Sequence, residues 1–163
     1  MTRLPLYAAC ALVAAPLAAQ DTVSAFDHLQ GAWHGTGTLM GRDARSTMTW
    51  RMSDGFAILT FANGFAAPDG QITPVLNAVA VYRTSPATPE AVWLDSRGVR
   101  IDIAWEASDS TLVAHWTAPT EAGRTTYRVR SADAIEVVDE VQSGNSWRTF
   151  GTARYRRERS AGG

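Results

Sequence analysis

From Gly31 onward the chain repeats one pattern: apolar side chains at every second position, a run of strand length, then residues that reverse a chain. Val99, Ile101, Ile103 and Trp105 alternate with Arg100, Asp102 and Ala104. Leu112, Ala114 and Trp116 alternate with Val113, His115 and Thr117, and Thr125, Tyr127 and Val129 with Thr126, Arg128 and Arg130. A period of two places alternate side chains on opposite faces of a strand, the signature of an antiparallel sheet with one dry face. Between the runs stand Gly41-Arg42-Asp43, Ser53-Asp54-Gly55, Pro68-Asp69-Gly70, Ser96-Arg97-Gly98, Ser108-Asp109-Ser110, Glu121-Ala122-Gly123, Ser131-Ala132-Asp133 and Ser143-Gly144-Asn145. All suit tight reversals. The pattern predicts strands near 32–40, 44–52, 56–64, 75–82, 90–95, 98–105, 111–117, 123–130, 134–141 and 146–156. A short helical lead-in is expected over Val23–Gln30. About ten hairpin-linked strands in an open sheet would leave two edges exposed, and closure removes them. The expected fold is all-β, a single up-and-down antiparallel barrel, with a two-sheet sandwich as the other arrangement.

The first twenty residues stand apart. Met1–Arg3 is cationic, Leu4–Leu17 is uncharged and apolar, and Ala18-Ala19-Gln20 precedes Asp21. This is the layout of a secretory signal peptide, with cleavage expected after Ala19 or Gln20 and an apolar core too short for a mature bilayer span. Cys10 lies too close to Arg3, and is followed by too apolar a stretch, for a lipoprotein box. The expected organisation is a signal peptide at 1–20, a barrel domain at 21–157 and a tail at 158–163. The expected location is periplasmic or secreted, without stable membrane insertion.

Composition enters to exclude partners and reactions. The chain has 163 residues, 15 basic and 16 acidic, and every basic residue is Arg, so no global positive field exists to hold nucleic acid. One Cys permits no internal disulfide and no Cys-based zinc site. His28 and His34 lie six residues apart with no HExxH pattern, so no metal is expected. The serines sit in or beside turns, without the strand–turn–helix elbow of a nucleophile, and no catalytic residue is assigned.

The first strand reads Leu29-Gln30-Gly31-Ala32-Trp33-His34-Gly35-Thr36-Gly37. Together with Tyr82, the run Trp93-Leu94-Asp95-Ser96-Arg97-Gly98, Trp147 and the closing Arg154-Tyr155-Arg156, it resembles the calycin superfamily. Within that superfamily it is similar to the lipocalin-like exported bacterial domains, for which no reaction is established. The resemblance implies a calycin-type barrel in which Trp33 plugs the closed end and an Arg near the C-terminus, Arg154 or Arg156, packs across it. It implies no activity, because architecture alone does not determine one.

If Trp33 points inward, alternation places Met48, Trp50 and Met52, Phe56 and Ile58, Ile101, Ile103 and Trp105, Leu112 and Trp116, Tyr127, Ile135, Val137 and Trp147 on the dry face. Small residues on the same faces (Gly35, Gly37, Ala78, Ala80, Ala114, Gly151, Ala153) are expected to leave room. The leading expectation is an interior that binds a small apolar molecule, lined by Trp50, Met52, Phe56, Ile58, Ile103, Trp105, Trp116, Tyr127 and Asp139. A packed core serving a structural or interaction role stands beside it. Asp139 is the one charge in an apolar phase, between Val137 and Val141, and must pair, bind a ligand or hold its proton more tightly. A buried pair with Arg128, Arg148 or Arg154 is the expected solution. The alternative is a small isomerase or cyclase that uses Asp139 and an Arg. A haem barrel would need an inward His, whereas His34 and His115 are both expected to face outward.

Overall fold

A computed structural model describes residues 24–159. The proposed signal peptide, Cys10 and the last four residues of the expected tail lie outside the described residues. One short helix, α1 (Ala25–Leu29), precedes ten strands: β1 (Gly31–Leu39), β2 (Arg42–Ser53), β3 (Phe56–Ala66), β4 (Ile72–Arg83), β5 (Glu90–Asp95), β6 (Arg100–Ala107), β7 (Thr111–Thr117), β8 (Ala122–Ser131), β9 (Ala134–Ser143) and β10 (Ser146–Arg157). Each strand pairs antiparallel with the next, and β10 returns to β1, from Trp33 opposite Arg157 to Leu39 opposite Gly151. The barrel is closed and has no free edge. At the reversal into β3, Asp54 and Gly55 both hold positive φ, which gives a two-residue turn whose twist matches the strands it joins.

The odd residues of β1 and the even residues of β2 face inward, and the phase continues around the wall. Trp33, Trp50, Tyr82, Phe26, Leu29, Met48, Leu59, Leu112 and Ile135 are fully buried. They concentrate at the end that α1 covers. Ser24 opens this helix with a capping box: its hydroxyl accepts from the Phe26 N–H, and Asp27 accepts from the Ser24 N–H at 2.9 Å. The box drives Phe26 into the barrel, with its ring centroid 5.1 Å from Trp105, 5.8 Å from Tyr82 and 6.2 Å from Trp50.

The sequence expectations need three corrections here. Phe56 and Ile58 face outward, and Ala57 and Leu59 are the buried residues of β3. In the two-residue turn, Ser53 pairs with Phe56 and Met52 with Ala57. Cross-strand partners share a face, so the inward Met52 fixes Ala57 inward and Phe56 outward. Trp147 is also outside, 40% exposed, under the Arg124 guanidinium at 4.4 Å. A bulge between Thr149 and Gly151 inserts Phe150 as an extra residue, which reverses the phase of everything before it in β10.

The third correction concerns the arginine at the closed end. Arg157 lies over Trp33 at 4.1 Å, whereas Arg154 is 85% exposed and faces Glu136, and Arg156 is exposed. Arg157 donates to the carbonyls of Gln30, His28 and Ala132, and the Trp33 indole donates to Leu29 O at 2.8 Å. Gly31 makes the stack possible, because a Cβ there would meet the Arg157 guanidinium.

Candidate functional site

The two ends of the barrel differ in what lines them. Below α1 the wall is aromatic and dry: Trp50 meets Tyr82 at 5.3 Å and Tyr127 edge-on at 5.5 Å. Toward the opposite end, where the β1–β2, β3–β4, β5–β6, β7–β8 and β9–β10 reversals gather, the inner aromatics are only half-buried. Phe61 lies 5.9 Å from Trp93, and Trp116 lies edge-on to Phe150 at 6.3 Å. This end is the mouth. A hollow of about 320 Å³ opens there between Met40, Gly41, Glu121, Val141, Arg148, Thr149 and Phe150.

The β10 bulge builds one side of the mouth. It carries Phe150 to Trp116 and puts Arg148 opposite the inward Val141. Arg148 makes no ion pair among the described residues. The β5–β6 reversal builds another side. Asp95 accepts from the Trp93 indole at 3.2 Å, from the Arg97 backbone N–H at 2.9 Å and from the Arg97 guanidinium at 2.7 Å. These donors, Arg97 foremost, hold its carboxyl down at about 2 and fix the direction of Trp93. Arg42 covers Phe65 at 3.7 Å on a third side.

Between mouth and closed end the interior carries polar groups. Asp139 is half-buried, and its Oδ1 accepts from Thr125 Oγ1 at 2.7 Å. Burial pushes its carboxyl up to about 6, with the Thr125 bond opposing that rise. The expected Asp–Arg pair is absent among the described residues. Arg128 and Arg154 lie on the outer face, and Arg148 stands at the rim without reaching Asp139. On another part of the wall, Ser46 Oγ donates to the Tyr155 hydroxyl at 2.7 Å. Burial raises the Tyr82, Tyr127 and Tyr155 hydroxyls above the usual phenol range, and the Asp139 charge adds to that rise at all three. Asn63, next to Ser46 in the β2–β3 register, has a buried Oδ1 with no hydrogen-bond partner.

The small inner residues do not simply leave space. The place of a Gly35 side chain is taken by the Tyr155 ring and Ser46 Oγ, that of Gly123 by the Trp116 indole, and that of Gly151 by the Asp139 carboxyl. Each of these glycines seats a large neighbour. Of the residues expected to line a ligand, Trp50, Ile103, Trp105 and Tyr127 are buried, with Trp50 and Trp105 packed on Phe26 and Tyr127 edge-on to Trp50. Met52 packs against the core, Trp116 and Asp139 lie on the mouth side, and Phe56 and Ile58 are outside. Sequence reasoning missed Phe61, Trp93, Phe150 and Asn63 as inner-wall residues. It also missed Arg148 as a rim residue, because the bulge moves it. His115 faces outward, with Nε2 3.2 Å from Glu106 Oε1, and His34 is exposed beside Glu158.

No family model matches the chain, and no curated protein is similar to it. Among solved structures it is similar to Rv2717c from M. tuberculosis, at 17% identity over 83% of this chain and 96% of that one, with a TM-score of 0.58. It is also similar to the S-type phycobiliprotein lyase CPES from Guillardia theta, at 10% identity over 83% of this chain and 91% of that one, with a TM-score of 0.56. These likenesses are of fold, a closed antiparallel ten-stranded barrel.

Proposed function

We propose that the barrel, in an exported protein, binds a small and largely apolar molecule through the mouth opposite α1. The body of the ligand lies against Phe61, Trp93, Trp116 and Phe150, and its polar end meets Asp139. The observation that carries this reading is the asymmetry of the aromatic lining. Rings at the α1 end are fully buried and packed on one another, whereas those at the mouth remain half-buried above a carboxylate that no cation among the described residues neutralises. Half-covered aromatics with a few placed polar groups are the usual chemistry of a small-molecule site, and the hollow at the rim, lined by Glu121, Arg148, Thr149 and Phe150, adjoins them.

Isothermal titration calorimetry of the purified protein with 1-naphthalenemethanol tests the reading. Saturable binding is expected, weakened by about 1 kcal/mol or more, roughly fivefold, in Trp116→Ala and Trp93→Ala. A folded protein that shows no saturable heat overturns it. The carboxyl of Asp139, raised to about 6, also suits a general base, so a second reading is proton transfer on the bound molecule. A carrier returns its ligand unchanged and an enzyme returns a product, which mass spectrometry of the incubated mixture distinguishes.

A further inference from the structure

On the outer wall four carboxylates stand against an arginine within about 3 Å. Glu136 meets Arg130 at 2.7 Å, Glu140 meets Arg124 at 2.7 Å, Asp102 meets Arg100 at 2.9 Å and Glu90 meets Arg83 at 3.1 Å. At the rim Asp95 has Arg97. Asp139 lies on the inner face, and no basic side chain comes within ion-pair distance of it among the described residues. Its Oδ1 is occupied by Thr125, and no protein donor among the described residues reaches Oδ2. The buried side-chain atoms without a partner among the described residues are one donor, Trp50 Nε1, and one acceptor, Asn63 Oδ1, and neither is charged. What the inner wall lacks at Asp139 is a counter-charge and a donor to Oδ2. A buried acceptor without a donor is costly, and a buried charge without a counter-charge more so.

From this inventory we infer that the polar end of the ligand is a protonated amine, which pairs with Asp139 Oδ2 while its apolar body lies in the aromatic mouth. The inference rests on the ligand-binding reading above. An ammonium brings several donors and the missing charge together. The groups around Asp139 agree. β8 presents Thr125 and Tyr127, β10 presents Gly151 and Tyr155, and β4 presents Tyr82, all uncharged near neutrality. The charged groups Arg42, Glu121 and Arg148 stand at the rim.

Three probes of one shape test it by calorimetry at about pH 7.5: 1-naphthylmethylamine, 1-naphthalenemethanol and 1-naphthoate. The amine is expected to bind at least about tenfold more tightly than the alcohol, with naphthoate weakest. In Asp139→Asn the amine's advantage should fall to within about twofold. Should that variant fail to fold, the native protein still decides. Protonating Asp139 as the pH falls from about 7.5 to about 5 should cost the amine roughly tenfold in affinity and leave the alcohol level. Equal binding of amine and alcohol overturns the amine and leaves the ligand site standing. Naphthoate binding tightest, and losing that affinity in Arg148→Ala, overturns the amine in favour of an anion held at the rim. Binding of none of the three removes both readings.

Discussion

The α1 end and the mouth are built from the same strands and the same residue types, yet they solve opposite problems. At the α1 end a five-residue helix drops one phenylalanine among Trp50, Tyr82 and Trp105, and Arg157 crosses Trp33 to bind the carbonyls around it. Every large ring there is covered. Among the described residues no helix arrives at the mouth and no cation reaches the carboxylate below it, while a bulge pushes Phe150 toward Trp116. Apolar burial at the α1 end stabilises the fold enough to carry an unpartnered donor there, Trp50 Nε1, and an unpaired carboxylate, Asp139, toward the mouth. Natural proteins tolerate such locally unfavourable groups chiefly where they serve function.

The comparison breaks most directly by removing one indole from each end. Trp50→Ala should cost about 3–5 kcal/mol in a urea titration, because the ring is fully enclosed and its space cannot collapse against a packed wall. Trp93→Ala, at the mouth, removes a ring that is already partly wet and should cost less than about half as much. Equal losses would mean that the mouth is as much a core as the α1 end, and the division between them would fail.

Asp139 sharpens the comparison through pH. Its carboxyl is raised from 3.8 to about 6, so the folded state holds a proton that the unfolded chain releases earlier. The penalty is absent below about pH 4, grows between about 4 and 6, and is complete above, reaching at most about 3 kcal/mol. Asp139→Asn removes it. The variant should therefore exceed the native protein in stability by up to that amount near pH 8, with the gain vanishing near pH 4, in parallel denaturant titrations. A variant less stable than the native protein near pH 8 would show that the carboxylate is compensated after all.

Which of these features could be read from the sequence depends on whether phase is preserved along a strand. Trp33, Trp105, Trp116 and Tyr127 sit in runs of strict alternation, so their inner position was legible, as was Asp139, the one charge in an apolar phase. The start of β3 reads Phe56-Ala57-Ile58-Leu59, apolar in both phases, and size favoured the wrong one. The signal that decides it was present in Asp54-Gly55: a two-residue turn makes Ser53 and Phe56 partners, and the inward Met52 then fixes the phase. The β10 bulge had no comparable signal. Nothing in Arg148-Thr149-Phe150-Gly151 announces an extra residue, and it alone carries Trp147 outside and Arg148 to the rim. The pairing of β1 with β10 joins residues more than a hundred positions apart, and it selects Arg157 over Arg154 and Arg156. Local pattern carries no information about that register.

Arg157 offers the smallest effect and the cleanest control. Its guanidinium lies 4.1 Å from the Trp33 ring and donates to Ala132 O at 2.7 Å and His28 O at 3.0 Å, which ties the approach to β1 to the β8–β9 reversal. Arg157→Ala removes the stack and leaves carbonyls that water at this exposed site can partly satisfy, so the loss should be about 1–2 kcal/mol. Arg157→Lys should recover less than half of that, because an ammonium keeps the charge but loses the planar fork that serves several carbonyls at once. Arg154→Ala, three residues away on the outer face, removes a mostly exposed side chain 3.5 Å from Glu136 and should change stability by less than about 0.5 kcal/mol. Thermal melts of the three variants, followed by tryptophan emission, measure the ranking. If Arg154→Ala proves as costly as Arg157→Ala, the closure of the α1 end does not depend on the Arg157–Trp33 stack, and the seal is the work of Phe26 and its neighbours alone.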